Sequence, residues 1–221
     1  MIGGFKAAHK RLAEELAEDA RRTASWTGRG EFSGPVMRAM MEVPRHQFVT
    51  AGEAPFAYAN RPLSIGHGQT ISQPFIVALM TELLDLEPGD KVLEVGTGSG
   101  YQTAVLAALA GDVYTIEIIP ELADAARRRL AHLGYRNIIM KIAQGREGWP
   151  GEAPFDAIMV TAAAPVVPPA LVDQLAPGGR MVVPVGEHGG HQDLVRIFKS
   201  ADGRVEEKNV LAVAFVPLVE D

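Results

Sequence analysis

The residues with the clearest chemical potential lie in one glycine-rich stretch, residues 92–100, with the sequence VLEVGTGSG. A short apolar run carries Glu94, and Gly96, Gly98 and Gly100 follow at every second position. An alanine- and leucine-rich pattern typical of a helix begins directly afterwards. Glycine at such a turn permits a positive φ and lets a ligand approach the bare backbone. The stretch therefore predicts a buried strand, a ligand-binding loop and a helix.

The spacing of the glycines distinguishes between two kinds of cofactor. The dinucleotide fingerprint G-x-G-x-x-G needs a small third residue for close contact between helix and strand. This chain has Tyr101 there if the count starts at Gly96, and Thr103 if it starts at Gly98. Glu94 would repel a pyrophosphate, whereas it suits the sulfonium and ammonium groups of S-adenosylmethionine. The loop therefore favours S-adenosylmethionine over NAD.

A second carboxylate, Glu117, lies at the end of the next strand-like run, about twenty residues beyond the loop. A carboxylate at that point commonly binds the hydroxyl groups of a ribose. Proteins that bind NAD share this feature, so Glu117 does not distinguish the cofactors. A solvated charge at a strand end is the alternative interpretation.

From Lys91 onward the chain alternates between strand-like and helix-like patterns, which predicts a parallel sheet covered on both faces. After residue 185, two strand-like runs without a helix between them predict a hairpin at one edge of the sheet. The predicted strands are 91–95, 112–118, 137–143, 155–162, 179–185, 194–199 and 210–218, and the predicted helices are 101–110, 121–133 and 168–176.

The first 85 residues have less regular patterning. A helix is predicted from Gln73-Pro74 to about Leu84, with proline in its first turn. Ser72 is a plausible N-cap of that helix. The other predicted elements are helices over 5–22 and 36–43, a loop over 23–35 and an irregular segment over 51–71.

The composition narrows the class of protein. A length of 221 residues suits a single α/β domain with a well-buried core. The net charge of -6 argues against nucleic acid as the main partner. The absence of cysteine excludes disulfides and thiolate catalysis, and we expect no metal site. No apolar run matches a signal peptide or membrane span, so we expect a cytoplasmic protein without a membrane partner.

Five segments together carry a resemblance to a known family. They are VPRHQFV (43–49), SIGHGQTISQP (64–74), VLEVGTGSGYQTAVLA (92–107), APVVPPALVDQLAPGGRMVVPVG (164–186) and VPLV (216–219). The QTIS run and the PVVP…PGG pattern are far more specific than the glycine loop. In this order the segments resemble the protein-L-isoaspartate (D-aspartate) O-methyltransferase family, over nearly everything from about residue 36 to the end.

The resemblance implies an α/β fold, a doubly wound, Rossmann-like, seven-stranded sheet typical of adenosylmethionine methyltransferases. The sheet would be mostly parallel, with the last strand inserted antiparallel. Within a single domain, residues 1–85 would form a helical and loop cover over a cofactor-binding core of residues 86–221. The implied reaction moves a methyl group from S-adenosylmethionine to the free carboxylate of L-isoaspartyl residues in damaged peptides and proteins, leaving S-adenosylhomocysteine. D-Aspartyl residues are a further candidate substrate, and we expect a monomer.

The resemblance also assigns site residues. Ser72 matches the serine with the active-site role, and Ile65, Thr70 and Val216 are the expected substrate contacts. Where the family usually has Asp-Gly near the adenine, this chain has Gln144-Gly145, and glutamine keeps a carbonyl acceptor for the adenine amino group. The expected cofactor-binding residues are Gln69, Thr70, Ile71, Ser72, Glu94, Gly96, Thr97, Gly98, Ser99, Gly100, Glu117, Ile118, Gln144 and Gly145.

Three other functions remain open at this point. A methyltransferase of the same fold could act on another peptide or small-molecule carboxylate, although no dedicated substrate-binding extension is visible. A non-catalytic cofactor-binding protein is disfavoured because Ser72, Glu94 and the full glycine loop are retained. An NAD-dependent oxidoreductase is disfavoured by Tyr101 and Glu94.

Overall fold

The computed structural model describes residues 2–219, with side chains from Ala7 onward. Its N-terminal part packs helices and a two-stranded hairpin beside a seven-stranded sheet. Nearly every residue of the third helix is buried, in keeping with its sequence PFIVALMTEL, and Pro74 starts that helix at a position that needs no N–H. The elements are α1 (Ile2–Thr27), α2 (Gly34–Glu42), 3-10 turns at Arg45–Gln47 and Ala54–Phe56, β1 (Leu63–Gly66), β2 (Gln69–Ile71) and α3 (Pro74–Leu83).

The rest of the chain alternates strands and helices as predicted, and then ends in two further strands. The elements are β3 (Lys91–Val95), α4 (Tyr101–Ala107), β4 (Asp112–Glu117), α5 (Pro120–His132), β5 (Ile138–Ile142), a 3-10 turn at Pro150–Glu152, β6 (Phe155–Val160), α6 (Pro169–Asp173), β7 (Leu175–Gly186), β8 (Gln192–Lys199) and β9 (Val205–Val213).

The large sheet has the strand order β5-β4-β3-β6-β7-β8-β9. Strands β3 to β7 pair in parallel, whereas β8 pairs antiparallel with both of its neighbours. The doubly wound, mostly parallel sheet and its antiparallel last pairing are therefore confirmed. The last strand, β9, lies at the edge beyond β8 and is not inserted between two strands. The strand order reverses between β3 and β6, and such a switch point opens a crevice at the carboxyl ends of the strands.

Alternate residues of the central strand pack into two different cores. Val92 joins a cluster with residues of α1 to α4, while Leu93 and Val95 join a second cluster that includes Leu171 of α6. Because side chains alternate across a strand, a continuous apolar run is what a strand buried on both faces requires. This double burial fixes the end of β3, where the glycine loop begins.

The predicted loop over residues 23–35 is wrong at its start, since α1 continues to Thr27. The hydroxyl groups of Thr23 and Thr27 donate to backbone carbonyls one turn earlier, at 2.8 and 3.1 Å. The helix ends just before Gly28, which has a φ of 71°. Threonine tolerates the helix when its hydroxyl bonds in this way, and the first glycine able to adopt the left-handed conformation sets the end.

The segment predicted as irregular, residues 51–71, contains the β1–β2 hairpin. Leu63 pairs with Ile71 and Ser64 with Thr70. The turn between them, 66–68, has positive φ at all three residues, including His67 at 53°. The glycines that interrupt the sequence pattern thus form the turn of this hairpin. Its strands are too short to show periodicity in the sequence. Within residues 2–219, none of the helices combines the length and apolarity needed to cross a membrane.

Candidate active site

Three adjoining cavities lie where the carboxyl ends of β3, β4 and β6 face the β1–β2 hairpin. Thr70 and Thr161 line all three, so these two residues mark their junction. The loop cleft is lined by Gln69, Thr70, Val95, Gly96, Gly98, 116–119, Ala143, Gly145, Thr161, Ala162 and 216–219. The middle cavity is lined by 70–72, Val77, 96–99, Tyr101, Gln102 and Thr161. The outer cavity is lined by Asp19, Arg22, Thr23, Pro62, Thr70, 72–73, 75–76, Thr161 and 211–216.

The glycine loop needs glycine at Gly96 for two separate reasons. Its φ is 99°, and an added Cβ would clash with the Thr161 hydroxyl. That hydroxyl donates to the carbonyls of Gly96 and Val95, at 2.6 and 3.0 Å, and so joins the loop to the end of β6. The N–H groups of Gly96 and Thr97 donate to the carbonyl of Ile116. The loop is therefore held from both neighbouring strands.

Glu117 has two roles, because it holds the glycine loop and lines the cleft. The sequence suggests only the contact with a ligand. One carboxylate oxygen accepts the N–H of Gly98 at 2.7 Å, and the other accepts the N–H groups of Ile118 and Ile119, both at 3.0 Å. The residue also lines the loop cleft. A carboxylate offers about four lone-pair sites, so capacity remains for a hydroxyl group of a ligand. Glu117 thus shapes the loop and the cleft together.

Glu94 lies behind the glycine loop and lines none of the three cavities, although the sequence suggests a direct cofactor contact. It is 0% exposed, and its Oε2 accepts the hydroxyls of Thr103 and Thr115 at 2.5 and 2.6 Å. Thr115 in turn lies 2.6 Å from the Thr97 hydroxyl, so the carboxyl group supports the loop through a chain of threonines. Burial raises the pKa of Glu94 to about 8, against the lowering effect of the two threonine hydrogen bonds.

Stability should depend on pH through Glu94. Its pKa in the folded protein, about 8, exceeds the ordinary value of 4.5, so between those pH values the folded state holds a proton that the unfolded state has lost. The stabilisation is complete below pH 4.5 and lost as pH rises through about 8. Glu94→Gln removes this pH dependence. As pH rises from 5 to 8, we therefore expect the unfolding free energy of the variant to increase by about 2–4 kcal/mol relative to that of the unsubstituted protein. Urea unfolding at several pH values measures this; parallel curves, or the same slope change in the exposed control Glu87→Gln, would contradict it.

Ser72 does not cap α3. The N-cap position is Gln73, without a side-chain capping bond, and the N–H of Phe75 is taken by Asn60 Oδ1 at 3.0 Å. Asn60 in turn donates to Asp19 Oδ2 at 2.8 Å. The capping interpretation is therefore wrong, because Ser72 precedes the cap position and another side chain serves the helix end. The residue instead lines both the middle and the outer cavity.

Arg45 fixes the backbone at Ser72. The guanidinium is 0% exposed and donates to the carbonyls of Ser72 and Ala57, both at 2.8 Å. It also lies 4.8 Å from the centre of the Tyr101 ring, at the start of α4. One buried side chain thus joins three separate segments, two of which, at Ser72 and Tyr101, line the middle cavity. Arg45 belongs to the VPRHQFV segment, but its sequence gives no indication of this role.

The C-terminal segment beyond β9 forms a wall of the loop cleft. Ala163 exchanges backbone hydrogen bonds with Val216 and Leu218, both at 2.8 Å. The Gln192 side chain accepts the N–H of Phe215 at 2.7 Å and donates to its carbonyl at 3.3 Å. The predicted strand over 210–218 is wrong in its second half, because these bonds draw the chain away from β8 and toward the end of β6.

Most of the predicted site residues line the cavities, and four do not. Besides Glu94, these are Gly100, which has a φ of 86° at the start of α4, Gln144, whose side chain is exposed, and Ile65, which lies against Gly98. The predicted site residues that line one or more of the cavities are Gln69, Thr70, Ile71, Ser72, Gly96, Thr97, Gly98, Ser99, Glu117, Ile118, Gly145 and Val216.

Thr161 is the main lining residue that sequence reasoning missed. It follows β6 directly, at the carboxyl end of a strand beside the switch point, so the rule for ligand sites in open α/β sheets could have found it. Asp19, Arg22 and Thr23 of α1 also line the outer cavity. No local motif marks these three residues, because only the packing of α1 brings them to the site.

The family model for protein-L-isoaspartate(D-aspartate) O-methyltransferase matches residues 28–221. The chain belongs to this family. The resemblance inferred from the five segments is thus confirmed, and with it the class of enzyme, an S-adenosylmethionine-dependent protein carboxyl methyltransferase. Isoaspartyl-containing proteins are the substrates that membership of the family implies.

Individual relatives agree with the family assignment. A protein-L-isoaspartate O-methyltransferase 2 of Polaromonas sp. is 56% identical over 207 residues, which cover 94% of this chain and 98% of that protein. A solved protein-L-isoaspartate O-methyltransferase has a TM-score of 0.81 at 27% identity, and the match covers 94% of this chain and 66% of that one. A putative family member from Plasmodium falciparum, solved in complex with S-adenosyl-L-homocysteine, has a TM-score of 0.76 at 25% identity. The match covers 95% of this chain and 99% of that one.

Proposed function

We propose that this protein transfers a methyl group from S-adenosylmethionine to the free carboxylate of L-isoaspartyl residues in damaged proteins. The observation that carries the proposal is that the cleft at the glycine loop meets an open cavity at Thr70 and Thr161, with Ser72 on the side of the open cavity. One cavity suits a nucleoside and the other a polypeptide side chain. A methyl donor and its acceptor need that contact between their sites.

The loop cleft fits S-adenosylmethionine by the chemistry of its lining. Glu117 offers acceptor capacity for ribose hydroxyls, and Ile118, Ile119 and Ala143 offer apolar surface for a flat base. Gly145 lies so close to Val95 that a Cβ would clash, which leaves bare backbone at the wall of the cleft. Bound there, S-adenosylmethionine supplies a methyl group on a sulfonium, which is an excellent leaving group.

The acceptor needs little activation from the protein. An isoaspartyl carboxylate resembles an ordinary side-chain acid with a pKa of about 4, so it is ionised at neutral pH and no general base is required. The tasks left to the protein are to orient the acceptor and to exclude water, and positioning alone can supply about 7–11 kcal/mol in favourable cases. The Ser72 hydroxyl donates a hydrogen bond to one carboxylate oxygen and so orients the group.

The assay that tests the proposal compares peptides with radiolabelled S-adenosylmethionine. Two peptides are identical except for isoaspartate or aspartate at one position, and a third carries D-aspartate. We expect labelling of the isoaspartyl peptide and none of the aspartyl peptide. Equal labelling of these two, or no labelling at all, would contradict the proposal. The third peptide decides whether D-aspartyl residues belong to the substrate range.

Arg45→Lys should impair the acceptor side of the site while sparing the cofactor side. Lysine keeps the charge but loses the planar fork that holds the Ser72 and Ala57 carbonyls. We expect kcat/KM for the isoaspartyl peptide to fall about tenfold, with S-adenosylhomocysteine affinity within about twofold. Because Arg45 acts through Ser72, combining Arg45→Lys with Ser72→Ala should cost less than the sum of both. Calorimetry measures the affinity for S-adenosylhomocysteine, and kinetics with the isoaspartyl peptide measure kcat/KM. An equal loss of cofactor affinity would indicate a general structural role. Arg38→Lys, at an exposed arginine, is the control.

The organisation of the protein belongs to the same proposal. Residues 1–221 form one methyltransferase domain, in which residues 1–85 cover the cofactor-binding core of residues 86–221. Packing of α1 against β9, which belongs to the core, supports this arrangement. The protein works as a cytoplasmic monomer without a nucleic-acid or membrane partner, and the net charge of -6 supports the absence of nucleic acid. Light scattering coupled to size-exclusion chromatography measures the molar mass and so tests whether the protein is a monomer.

A further inference from the structure

One face of α1 runs past the site and lines two separate openings. Ala8, Arg11, Glu15, Asp19 and Arg22 are spaced three or four residues apart, so they lie on the same face of the helix. Asp19 and Arg22, which form an ion pair, line the outer cavity. Ala8, Arg11 and Glu15 line a second opening of about 850 Å³, called here the α1 groove.

The opposite wall of the α1 groove comes from the segment before the β1–β2 hairpin. It is lined by Ala51, 54–56 and 58–60. Phe56 is 51% exposed, and the Arg61 guanidinium lies 5.3 Å from the centre of its ring. An exposed aromatic ring in a concave surface is typical of a binding site.

The α1 groove and the outer cavity are neighbours, and one hydrogen-bonded pair of residues lies between them. Asn60 lines the groove, Asp19 lines the outer cavity, and the two are joined by a hydrogen bond of 2.8 Å. Asn60 also holds the N-terminus of α3, close to Ser72. A chain that leaves the outer cavity along α1 therefore passes this pair of residues before it reaches the groove.

We propose that the α1 groove binds the polypeptide that flanks the isoaspartyl residue of a substrate protein. This inference rests on the proposed function. Arg11 and Arg22 are eleven positions apart, which is about 16 Å along a helix, and an extended chain covers that distance with about five residues. The groove thus contacts substrate residues well outside the one that is methylated.

The chemistry of the groove favours a polypeptide over other long ligands. Arg11 and Glu15 carry opposite charges on the same wall, and Phe56 and Pro55 face them with apolar surface. Nucleic acid would require a wall of one positive sign. A peptide segment of mixed composition can place its polar backbone against the charges and a side chain against the ring.

The test compares a short and a long isoaspartyl peptide on variants of the groove. The short peptide has one residue on each side of isoaspartate, and the long peptide has six. We expect Phe56→Ala to raise KM for the long peptide about fivefold, with kcat unchanged and KM for the short peptide within about twofold. Phe198→Ala, at the far end of β8, is the matched control and should change neither KM.

A charge reversal provides a second variant that does not touch an aromatic ring. Arg11→Glu should likewise change KM for the long peptide alone, whereas Lys10→Glu, on the opposite side of α1, should change neither KM. Peptides extended on only one side of isoaspartate then show which flank occupies the groove, because only that series should respond to Phe56→Ala.

The outcomes separate this inference from the proposed function. Methylation of both peptides with the same KM in Phe56→Ala and Arg11→Glu as in the unsubstituted protein would overturn the groove alone. An equal rise in KM for both peptides would also overturn it. A dimer in light scattering that Phe56→Ala dissociates would show that a second copy fills the groove. Failure to methylate either peptide would overturn the proposed function together with this inference.

Discussion

Glu117→Ala is expected to weaken S-adenosylhomocysteine binding by about a hundredfold or more. The carboxylate accepts three backbone N–H groups, from Gly98, Ile118 and Ile119, and each hydrogen bond to a charged group is worth about 1.5–3 kcal/mol. Its loss removes the acceptor proposed for the ribose and also releases the glycine loop at Gly98. Both effects act on cofactor binding, so turnover at saturating S-adenosylmethionine should fall much less.

Isothermal titration with S-adenosylhomocysteine measures this prediction, together with kcat at saturating S-adenosylmethionine. Glu121→Ala removes an exposed acid from the first turn of α5 and is the matched control. Glu117→Gln keeps one acceptor oxygen without the charge, so we expect an intermediate loss. Unchanged affinity in Glu117→Ala, or a fall in kcat as large as the fall in affinity, would contradict a role on the cofactor side.

The central part of the fold is predictable because burial requires apolar residues along its strands. Strand β3 is buried on both faces, so Val92, Leu93 and Val95 must all be apolar, and the run is visible in the sequence. The β1–β2 hairpin is not predictable in this way, since its strands have four and three residues and alternate too briefly. The C-terminal segment misleads for another reason. VPLV has strand composition, but its partner is the loop after β6.

The site is predictable where backbone conformation demands a residue type. Gly96 must be glycine because of its φ and its contact with Thr161, and this demand produces the recognisable loop. Glu94 shows the limit of such reasoning. Its position beside the loop suggests a ligand contact, yet the alternation of β3 places its side chain beneath the loop against Thr103 and Thr115. A sequence motif shows which residues a loop needs. It does not distinguish the residues that contact the ligand from those that support the loop.

The second large effect is expected at Ser72, whose conversion to alanine should lower kcat by about tenfold to a hundredfold. A hydrogen bond from its hydroxyl to a charged acceptor is worth about 1.5–3 kcal/mol, which corresponds to that range of rates. Ser72 lines the middle and outer cavities but not the loop cleft, so S-adenosylhomocysteine affinity should stay within about threefold. Ser72→Thr keeps the hydroxyl and should retain more activity than Ser72→Ala.

Stability provides the readout that separates orientation of the acceptor from helix capping. Loss of a capping side chain costs about 1 kcal/mol, whereas the Phe75 N–H is already satisfied by Asn60. We therefore expect Ser72→Ala to lose less than about 0.5 kcal/mol of unfolding free energy in urea. Ser33 is the matched control, because it also stands before a proline-containing helix start without a side-chain capping bond. A loss near 1 kcal/mol with unchanged kcat would restore the capping role, and a large loss of cofactor affinity with unchanged kcat would place Ser72 on the cofactor side.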